Sequence, residues 1–278
     1  MVSNLIKNGI RKSLSLVGVE IRRKAASTSA VHDAPLRNSL VGVLRQAKNL
    51  GFSPATVIDV GAAFGWFAEE CHSVFPDAKY MLVEPLEEYK PYLDAVIKDQ
   101  AENAEYILAA AANETSEITI NVHPDLVGSS LYYEGEVSNV NGVPRIVPCI
   151  TLDSLVKDNK LKPPFLLKID TQGAELDVLS GYEEHLQETE FILLEVSLFK
   201  FFEGGPQLYD VVTYMKSKGF VTYDLYGFLY RPLDNALAQI DMVFVKEAGW
   251  LRQHHFYATH EQRAEQFKYQ YPPAEEIT

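Results

Sequence analysis

Apolar runs and helix-patterned stretches alternate along this chain, which predicts an alternation of strands and helices. Residues 55–60, 79–83 and 104–110 are short apolar runs typical of buried strands. Residues 66–74 and 85–98, which separate them, have helical patterns, and Pro76 prevents the first helix from continuing. A further helix is predicted over 34–50, with Gly51 as its C-terminal cap.

The second half of the chain repeats this order. A strand, a glycine break and a helix recur over 165–181, and a strand follows at 191–196. A helix with apolar residues at i, i+3, i+4 and i+7 starts at Leu208, and two strands at 220–225 and 240–245 predict a long hairpin. In the middle of the chain, residues 117–123 and 145–150 predict two antiparallel strands that form an excursion from this order. The whole order predicts an α/β fold with a mostly parallel sheet and helices on both faces.

Composition excludes several classes of protein. The 278 residues carry a net charge of −13, which disfavours binding to nucleic acid. No apolar run approaches the roughly 18 residues of a membrane-spanning helix. The first 16 residues lack the apolar core of a secretory signal, and two cysteines do not suggest a disulfide scaffold, so we expect a cytoplasmic location.

The first 24 residues differ in charge from the rest. Six basic residues against Glu20 give this segment a charge of +5, and apolar residues are interleaved among them. The pattern is that of a basic amphipathic helix, which could rest on an anionic membrane surface. A mobile arm, or a helix packed on the domain, explains the same pattern.

One motif, T-V-I-D-V-G-A-A-F-G-W-F at 56–67, predicts a ligand site at the end of a strand. The strand ends near Asp59, and a glycine-bent loop leads into a helix. Glu84 ends the next apolar run, 25 positions after Asp59 (84 minus 59), where an acid can accept both hydroxyl hydrogens of a ribose. Ala63 occupies the position where a dinucleotide site needs glycine for close approach of a pyrophosphate. The loop therefore favours S-adenosylmethionine over NAD, with a purely structural turn as the other alternative.

Several segments together resemble the FkbM-type methyltransferases over roughly 53–246. The segments are V-I-D-V-G-A-A-F-G-W-F, V-E-P, S-S-L at 129–131, I-T-L-D-S-L at 150–155, L-K-I-D-T-Q-G-A-E at 167–175 and Q-I-D-M-V-F at 239–244. The resemblance implies a seven-stranded Rossmann-like sheet with an antiparallel last strand, S-adenosylmethionine as methyl donor, and a hydroxyl of a sugar or secondary metabolite as acceptor. Ala63 departs from the family, whose members often carry asparagine there.

The resemblance and the motif together assign candidate residues and domains. We expect the donor to be bound by Asp59, Gly61, Ala62, Phe64, Gly65, Glu84 and Pro85. We expect N-terminal helices in 1–50, the methyltransferase domain in 51–247 and a polar tail in 248–278.

The most specific segment, K-I-D-T-Q-G-A-E, also suggests where the chemistry occurs. An alcohol becomes a good nucleophile when its proton is removed, and Lys168, Asp170 and Glu175 converge at the carboxyl edge of the sheet. We assign Asp170 as base or hydrogen-bond anchor, Lys168 as its electrostatic partner and Glu175 as a positioning group. The alternative is a structural ion pair between Lys168 and Glu175.

Three further features stay open at the level of sequence. Glu195 is another site candidate, and with Asp170 it could hold a hydrated cation, although no histidine cluster supports a metal. Ser129 and Ser130 could donate to a ligand or cap a loop. The aromatic segment 197–206 could be a lid for a sugar acceptor or simple packing. Rival functions are a nicotinamide-dependent oxidoreductase and a non-catalytic binding module.

Overall fold

The computed structural model describes residues 36–100, 103–135 and 139–270. The α-helices of this part are α1 (Leu40–Asn49), α2 (Trp66–His72), α3 (Lys90–Gln100), α4 (Leu152–Asp158), α5 (Glu175–Ser180), α6 (Leu208–Ser217) and α7 (His260–Gln270). The strands are β1 (Thr56–Val60), β2 (Lys79–Glu84), β3 (Ala104–Leu108), β4 (Ala110–Ala111), β5 (Ser116–Val122), β6 (Val143–Ile150), β7 (Phe165–Ile169), β8 (Thr189–Ser197), β9 (Phe220–Tyr230) and β10 (Leu237–Lys246).

Seven strands form the main sheet, in the order β3-β2-β1-β7-β8-β10-β9. All neighbouring pairs are parallel except those of β10, which runs antiparallel to both β8 and β9. The predicted α/β class and the antiparallel last strand are confirmed. The strand order reverses between β1 and β7, and ligands of such sheets bind at the carboxyl ends beside this point.

Each strand sends alternate side chains to the two faces of the sheet, and each face has its own core. Val57 and Leu166 pack with residues of α1, α2 and α3 on what we call the first face. Ile58 and Leu167 pack with residues of α4, α5 and α6 on the second face. Burial on both sides explains why these strands are continuous apolar runs rather than alternating ones.

The middle of the chain forms a second, smaller sheet in the order β4-β6-β5. β5 and β6 pair antiparallel, from Ser116 opposite Cys149 to Val122 opposite Val143. This confirms the predicted excursion. The loop between these two strands returns to the main sheet's carboxyl edge, because Ser130 bonds to Gln172 at the end of β7.

The structure differs from the sequence prediction at several element boundaries. The terminal hairpin is longer than predicted, since β9 continues to Tyr230 and β10 begins at Leu237. Two helices, α4 and α7, were not predicted. α4 is short and is capped by Thr151, whose side chain accepts from the backbone N–H of Ser154. α7 is almost wholly polar, so it lacks the apolar periodicity on which the prediction relied.

Among the described residues, no helix is both long and apolar enough to cross a membrane. The basic segment 1–24 lies outside the described residues. The predicted boundaries at residues 50 and 247 remain predictions.

Candidate active site

A cleft opens at the carboxyl ends of β1, β2 and β7, where the strand order reverses. Its empty volume is about 710 Å³, part of it open to solvent. The lining includes Gly61, Ala63, Glu84, Pro85, Leu86, Tyr89, Ala110, Leu126, Ser129, Ser130, Asp170, Thr171 and Gln172. Residues from three strand ends and from the loop after β5 thus face one space.

Charged side chains occupy the carboxyl edge of the first face across five strands. On each parallel strand the charged residue comes two positions after an apolar residue of the first-face core, as Asp59 comes after Val57 and Lys168 after Leu166. On antiparallel β10 the order is reversed, with Val243 in the core and Asp241 at the edge. We call this set the polar row: Glu84, Asp59, Lys168, Glu195 and Asp241.

Glu84 organises the first part of the cleft through backbone contacts. One carboxylate oxygen, Oε2, accepts from the N–H of Ala63, and the other, Oε1, accepts from the N–H of Leu86, both at 2.9 Å. The residue is 4% exposed, and burial raises its pKa to about 7 although both N–H groups favour the charged form. Each oxygen still has a lone pair for a ligand hydroxyl.

The loop after β1 is shaped by backbone conformations that suit glycine. Gly61 has φ +76°, and a Cβ there would lie 1.9 Å from the carbonyl oxygen of Asp170. Gly65 has φ +75°, and its Cβ would lie 2.5 Å from a methyl group of Val96. Ala63 also has a positive φ of 45°, a conformation that asparagine tolerates better than alanine. This geometry gives a physical reason for the asparagine that the family often has here.

The predicted donor residues divide into two groups. Gly61, Glu84 and Pro85 line the cleft. Asp59 and Ala62 are buried and are not part of that lining, and Gly65 is the N-cap of α2. Phe64 lies in an aromatic cluster, stacked on Trp66 at 4.9 Å and edge-on to Tyr89 at 4.8 Å between ring centroids. Its contacts in this structure are therefore packing contacts.

Lys168 connects the two carboxylates that flank the strand reversal. Its Nζ lies 3.5 Å from Oδ1 of Asp59 and 3.3 Å from Oδ2 of Asp170, and donates to the carbonyl of Gly61 at 3.3 Å. Burial alone would lower the pKa of Lys168, but the charges of Asp170 and Asp59 outweigh it, and the pKa is raised. The ammonium group also lies 5.7 Å from the ring centre of Phe67.

Asp59 is completely buried, and neither of its carboxylate oxygens has a hydrogen-bond donor within the described residues. Burial raises its pKa, and Lys168 only partly offsets that effect. Asp59 is thus paired with Lys168 at 3.5 Å but has no hydrogen-bond donor among the described residues, and its negative potential beside a ribose-type acid suits a ligand that brings a positive charge.

Glu175 shapes the loop after β7 instead of pairing with Lys168. Its Oε1 accepts from the backbone N–H groups of Thr171 at 3.2 Å and Gly173 at 3.0 Å. Burial raises its pKa to about 7 despite these bonds. Asp170 precedes this loop and keeps a side chain that is 32% exposed at the cleft. The structural ion pair between Lys168 and Glu175 is thus not formed.

Glu195, further along the polar row, lies in a network of side-chain amides that no local sequence pattern predicts. Oε2 of Glu195 accepts from Nε2 of Gln172 and from Nε2 of Gln239, each at 2.8 Å. The same Gln172 amide donates to Oδ1 of Asp170 at 2.9 Å. Both glutamines are in the motifs quoted above, but neither was assigned a role there. Among the described residues, no three His, Cys, Asp or Glu side chains are placed to share a metal ion.

Two loops, one after β5 and one after β8, pack against the carboxyl edge of the main sheet near the end of β7. Ser130 donates from Oγ to the carbonyl of Gln172 at 2.6 Å, and Ser129 accepts at Oγ from the N–H of His123. Both serines therefore act as loop caps in this structure. Ser129 and Ser130 also line the cleft.

The aromatic segment after β8 packs on this same region. The N–H of Glu203 donates to the carbonyl of Tyr133 at 2.7 Å, and a Cβ at Gly173 would lie 2.9 Å from the ring of Phe202. The guanidinium of Arg231, at the hairpin tip, lies 3.9 Å from the ring centre of Phe199. The segment is therefore held against both the hairpin and the loop that follows β7.

Comparisons with known proteins agree with this geometry. The model of the methyltransferase FkbM domain matches residues 59–222. No curated protein matches the chain.

Solved structures with a similar arrangement include three methyltransferases of low identity. Precorrin-6y C5,15-methyltransferase from Geobacter metallireducens is 13% identical, with 74% of this chain and 87% of that chain covered and a TM-score of 0.41. An rRNA methylase from Streptococcus thermophilus is 12% identical, with 73% and 93% covered and a TM-score of 0.42. The 1,6-didemethyltoxoflavin-N1-methyltransferase from Burkholderia thailandensis, with bound S-adenosylhomocysteine, is 11% identical, with 75% and 79% covered and a TM-score of 0.38. At these TM-scores none of them bears on what this chain methylates.

The family match spans more than half of the chain and includes Asp59, the cleft loop, Glu84 and the segment from Lys168 to Glu175. It leaves the nicotinamide alternative without support. The chain belongs to the FkbM methyltransferase family and is an S-adenosylmethionine-dependent methyltransferase.

Proposed function

We propose that this enzyme methylates a hydroxyl group of a carbohydrate or of a glycosylated metabolite. The observation that carries the proposal is the setting of Asp170. Its carboxylate is one-third exposed at the cleft, is held by Lys168, and lies on the same edge as a phenylalanine-rich loop. A carboxylate that can accept from a hydroxyl, on the same edge as phenylalanine rings, suits a sugar ring.

The donor is expected in the cleft beside β1 and β2. S-adenosylmethionine supplies an electrophilic methyl group on a sulfonium. Glu84 would accept from the ribose hydroxyls, since it faces the cleft and both its oxygens are fixed by backbone donors. Asp59, buried and without a hydrogen-bond donor among the described residues, would contribute negative potential toward the ammonium of the donor.

The residues after β7 would position the acceptor. Asp170 would accept a hydrogen bond from the reacting hydroxyl, and Lys168 would hold Asp170 in place. Glu175 would fix the loop that carries Asp170 and Gln172 through its bonds to Thr171 and Gly173. Alignment of this kind contributes strongly to displacement reactions, because both partners are held in the reacting geometry.

A small acceptor suits the charge of the chain better than a nucleic acid does. The net charge is −13. The polar row at the carboxyl edge has four carboxylates and one lysine. Both cysteines are buried and unpaired, in keeping with the cytoplasmic location that belongs to this proposal.

A methyl-transfer screen tests the proposal. The full chain would be incubated with S-adenosylmethionine labelled in its methyl group and with three sets of acceptors: neutral mono- and disaccharides, glycosylated small molecules, and an RNA oligonucleotide. We expect label in a carbohydrate hydroxyl, located by mass analysis of the product. Asp170→Asn should lower the rate about 100-fold, whereas the exposed Asp77→Asn should leave it unchanged. Label in the RNA alone, or on a nitrogen, would contradict the proposal.

Contact of residues 1–24 with an anionic membrane stays a prediction from their charge of +5. Co-sedimentation with phosphatidylglycerol liposomes, compared between the full chain and a chain without residues 1–25, tests it. Equal sedimentation of the two would exclude membrane contact through this segment.

A further inference from the structure

The carboxylate of Glu195 is held in one orientation by two side-chain amides. The amide nitrogens of Gln172 and Gln239 both donate to the same oxygen, Oε2, at 2.8 Å. No donor of the described residues reaches the other oxygen, Oε1. The residue keeps partial access to solvent. Glu195 is therefore a fixed carboxylate with one oxygen available to accept a proton.

Its position links it to the acceptor side of the cleft. Gln172 lines the cleft, and its amide donates to Oδ1 of Asp170 as well as to Glu195. One amide group thus bridges the two carboxylates. A hydroxyl that is hydrogen-bonded to Asp170 would lie in the neighbourhood of Glu195.

The two carboxylates differ in their counter-ions. Asp170 has the Lys168 ammonium at 3.3 Å, whereas Glu195 has no cation within ion-pair distance among the described residues. Glu195 lies directly opposite Asp241 in the β8–β10 register, and Tyr226 lies opposite Asp241 on β9. The charges of Asp170, Asp241 and Glu175 act on Glu195, and Lys168 on β7 interacts with it from beyond ion-pair distance.

Burial and the nearby charges of Asp170, Asp241 and Glu175 raise the pKa of Glu195 well above that of an ordinary carboxyl. A carboxyl group with a raised pKa is the stronger base and suits proton removal near neutral pH. The surrounding charges therefore make Glu195 fit for a different role from that of Asp170.

We propose that Glu195 is the general base for the acceptor hydroxyl, that Gln172 and Gln239 are its positioning residues, and that Asp170 anchors the hydroxyl. The inference rests on the proposed function, because it requires an acceptor that loses a proton. In the step, the acceptor oxygen forms the new C–O bond and the S–C bond breaks with its electron pair kept by sulfur. The hydroxyl proton moves to Oε1 of Glu195.

Kinetics test the assignment with the carbohydrate that gains label in the screen above. Glu195→Gln should lower kcat about 10²–10⁴-fold, with an unchanged dissociation constant for S-adenosylmethionine measured by calorimetry. Glu190→Gln is the matched control, since Glu190 is on the same strand but pairs with Lys246 at the opposite edge of the sheet. This control should keep the rate of the unmodified enzyme.

The pH profile separates a base from a structural residue. The acid side of the kcat profile should follow the protonation of Glu195. Asp241→Asn removes a neighbouring negative charge, lowers the pKa of Glu195 and should shift that limb to lower pH. Gln239→Leu removes a donor to the charged form, raises the pKa and should shift the limb to higher pH. Opposite shifts are not expected of a residue that only supports the fold.

An infrared titration of the protein alone gives a readout without donor or acceptor. Glu84, Glu175 and Asp241 also have raised pKa values, so the Glu195 signal is the difference between the titrations of the unmodified protein and Glu195→Gln. We expect this difference to show a carboxyl that titrates well above the ordinary range, and to be displaced when both proteins also carry Asp241→Asn. Kinetic limbs that do not move, or a rate in Glu195→Gln within a few-fold of the control, would overturn the assignment. A screen with no labelled hydroxyl refutes the proposed function instead. In that event a carboxyl titration that is identical in Glu195→Gln and in the unmodified protein would still overturn the inference.

Discussion

The two sides of the cleft hold their carboxylates in different ways. On the half proposed for the donor, which we call the donor half, at the ends of β1 and β2, Glu84 is fixed by the backbone N–H groups of Ala63 and Leu86. On the half proposed for the acceptor, which we call the acceptor half, at the ends of β7 and β8 and the start of β10, Glu195 is fixed by the side-chain amides of Gln172 and Gln239. Backbone donors are supplied by the fold itself, whereas amide side chains can be replaced one at a time. The contrast suits the proposed roles of the two halves, in which the fold itself holds the donor and replaceable side chains position the acceptor.

Lys168 lies between the two halves and pairs with Asp59 and Asp170, so we expect its replacement to have the largest effect on stability. Lys168→Met would leave Asp59 buried without a counter-ion, which costs about 3–5 kcal/mol of unfolding free energy. Urea denaturation measures the loss. Lys246→Met is the control: its partner Glu190 is 2.7 Å away and both side chains are partly exposed, so at most about 1 kcal/mol should be lost. A similar loss in both variants would show that the central lysine is not a required link.

Gly61 brings the backbones of the two halves together, and its substitution should have the next largest effect. Gly61→Ala places a Cβ 1.9 Å from the carbonyl oxygen of Asp170 at φ +76°. We expect a loss of about 3 kcal/mol and weaker donor binding, measured by urea denaturation and calorimetry. Gly51→Ala shares a positive φ, +102°, but meets no atom within 4 Å. It should lose about 1–2 kcal/mol, and equal losses would refute the close contact as the cause.

Glu84→Gln tests the donor half alone. The amide would place an N–H group against the backbone N–H of Ala63 or Leu86. It would also replace the charged carboxylate that is proposed to accept from the ribose hydroxyls. We expect the dissociation constant for S-adenosylmethionine to rise about 10- to 100-fold by calorimetry. Glu88→Gln, which changes only a surface pair with Arg145, should bind the donor normally. Normal binding by Glu84→Gln would exclude the ribose role.

The stability of the donor-free protein should fall as the pH rises through the window from 4.5 to 7. The pKa values of Glu84, Glu175 and Asp241 are raised to about 7, mainly by burial. Because these raised pKa values favour the protonated form in the folded state, the stability that they contribute is fully present below the ordinary pKa values of 3.8 to 4.5 and is lost as the pH rises through about 7. We expect each group that titrates in this way to lower the unfolding free energy by about 2–3 kcal/mol between pH 5 and pH 8.

Glu175→Gln should make this fall smaller, since its amide oxygen can still accept from Thr171 and Gly173 but cannot ionise. Thermal melts at several pH values compare it with Glu184→Gln at an exposed position. An unchanged slope in Glu175→Gln would show that its carboxyl stays ionised in the folded protein.

Much of the donor half could be predicted because its signals are local. The glycine loop lies within ten residues of Asp59, and an apolar run that ends in an acid marks Glu84. The acceptor half was predicted only in part. Lys168, Asp170 and Glu175 were predicted to converge because they share one short segment, and the ion pair between Lys168 and Glu175, which was the structural alternative, is not formed.

The amide network had no local signal. Gln172, Glu195 and Gln239 are separated by 23 and 44 positions along the chain, and only the strand order brings their side chains together. The alternation of apolar runs by itself determined the strands, most of the helices and the mostly parallel sheet, because burial on two faces requires that pattern. Which side chains touch at the edge was decided by the tertiary structure, since the insertion of β10 beside β8 sets a register that no single segment encodes.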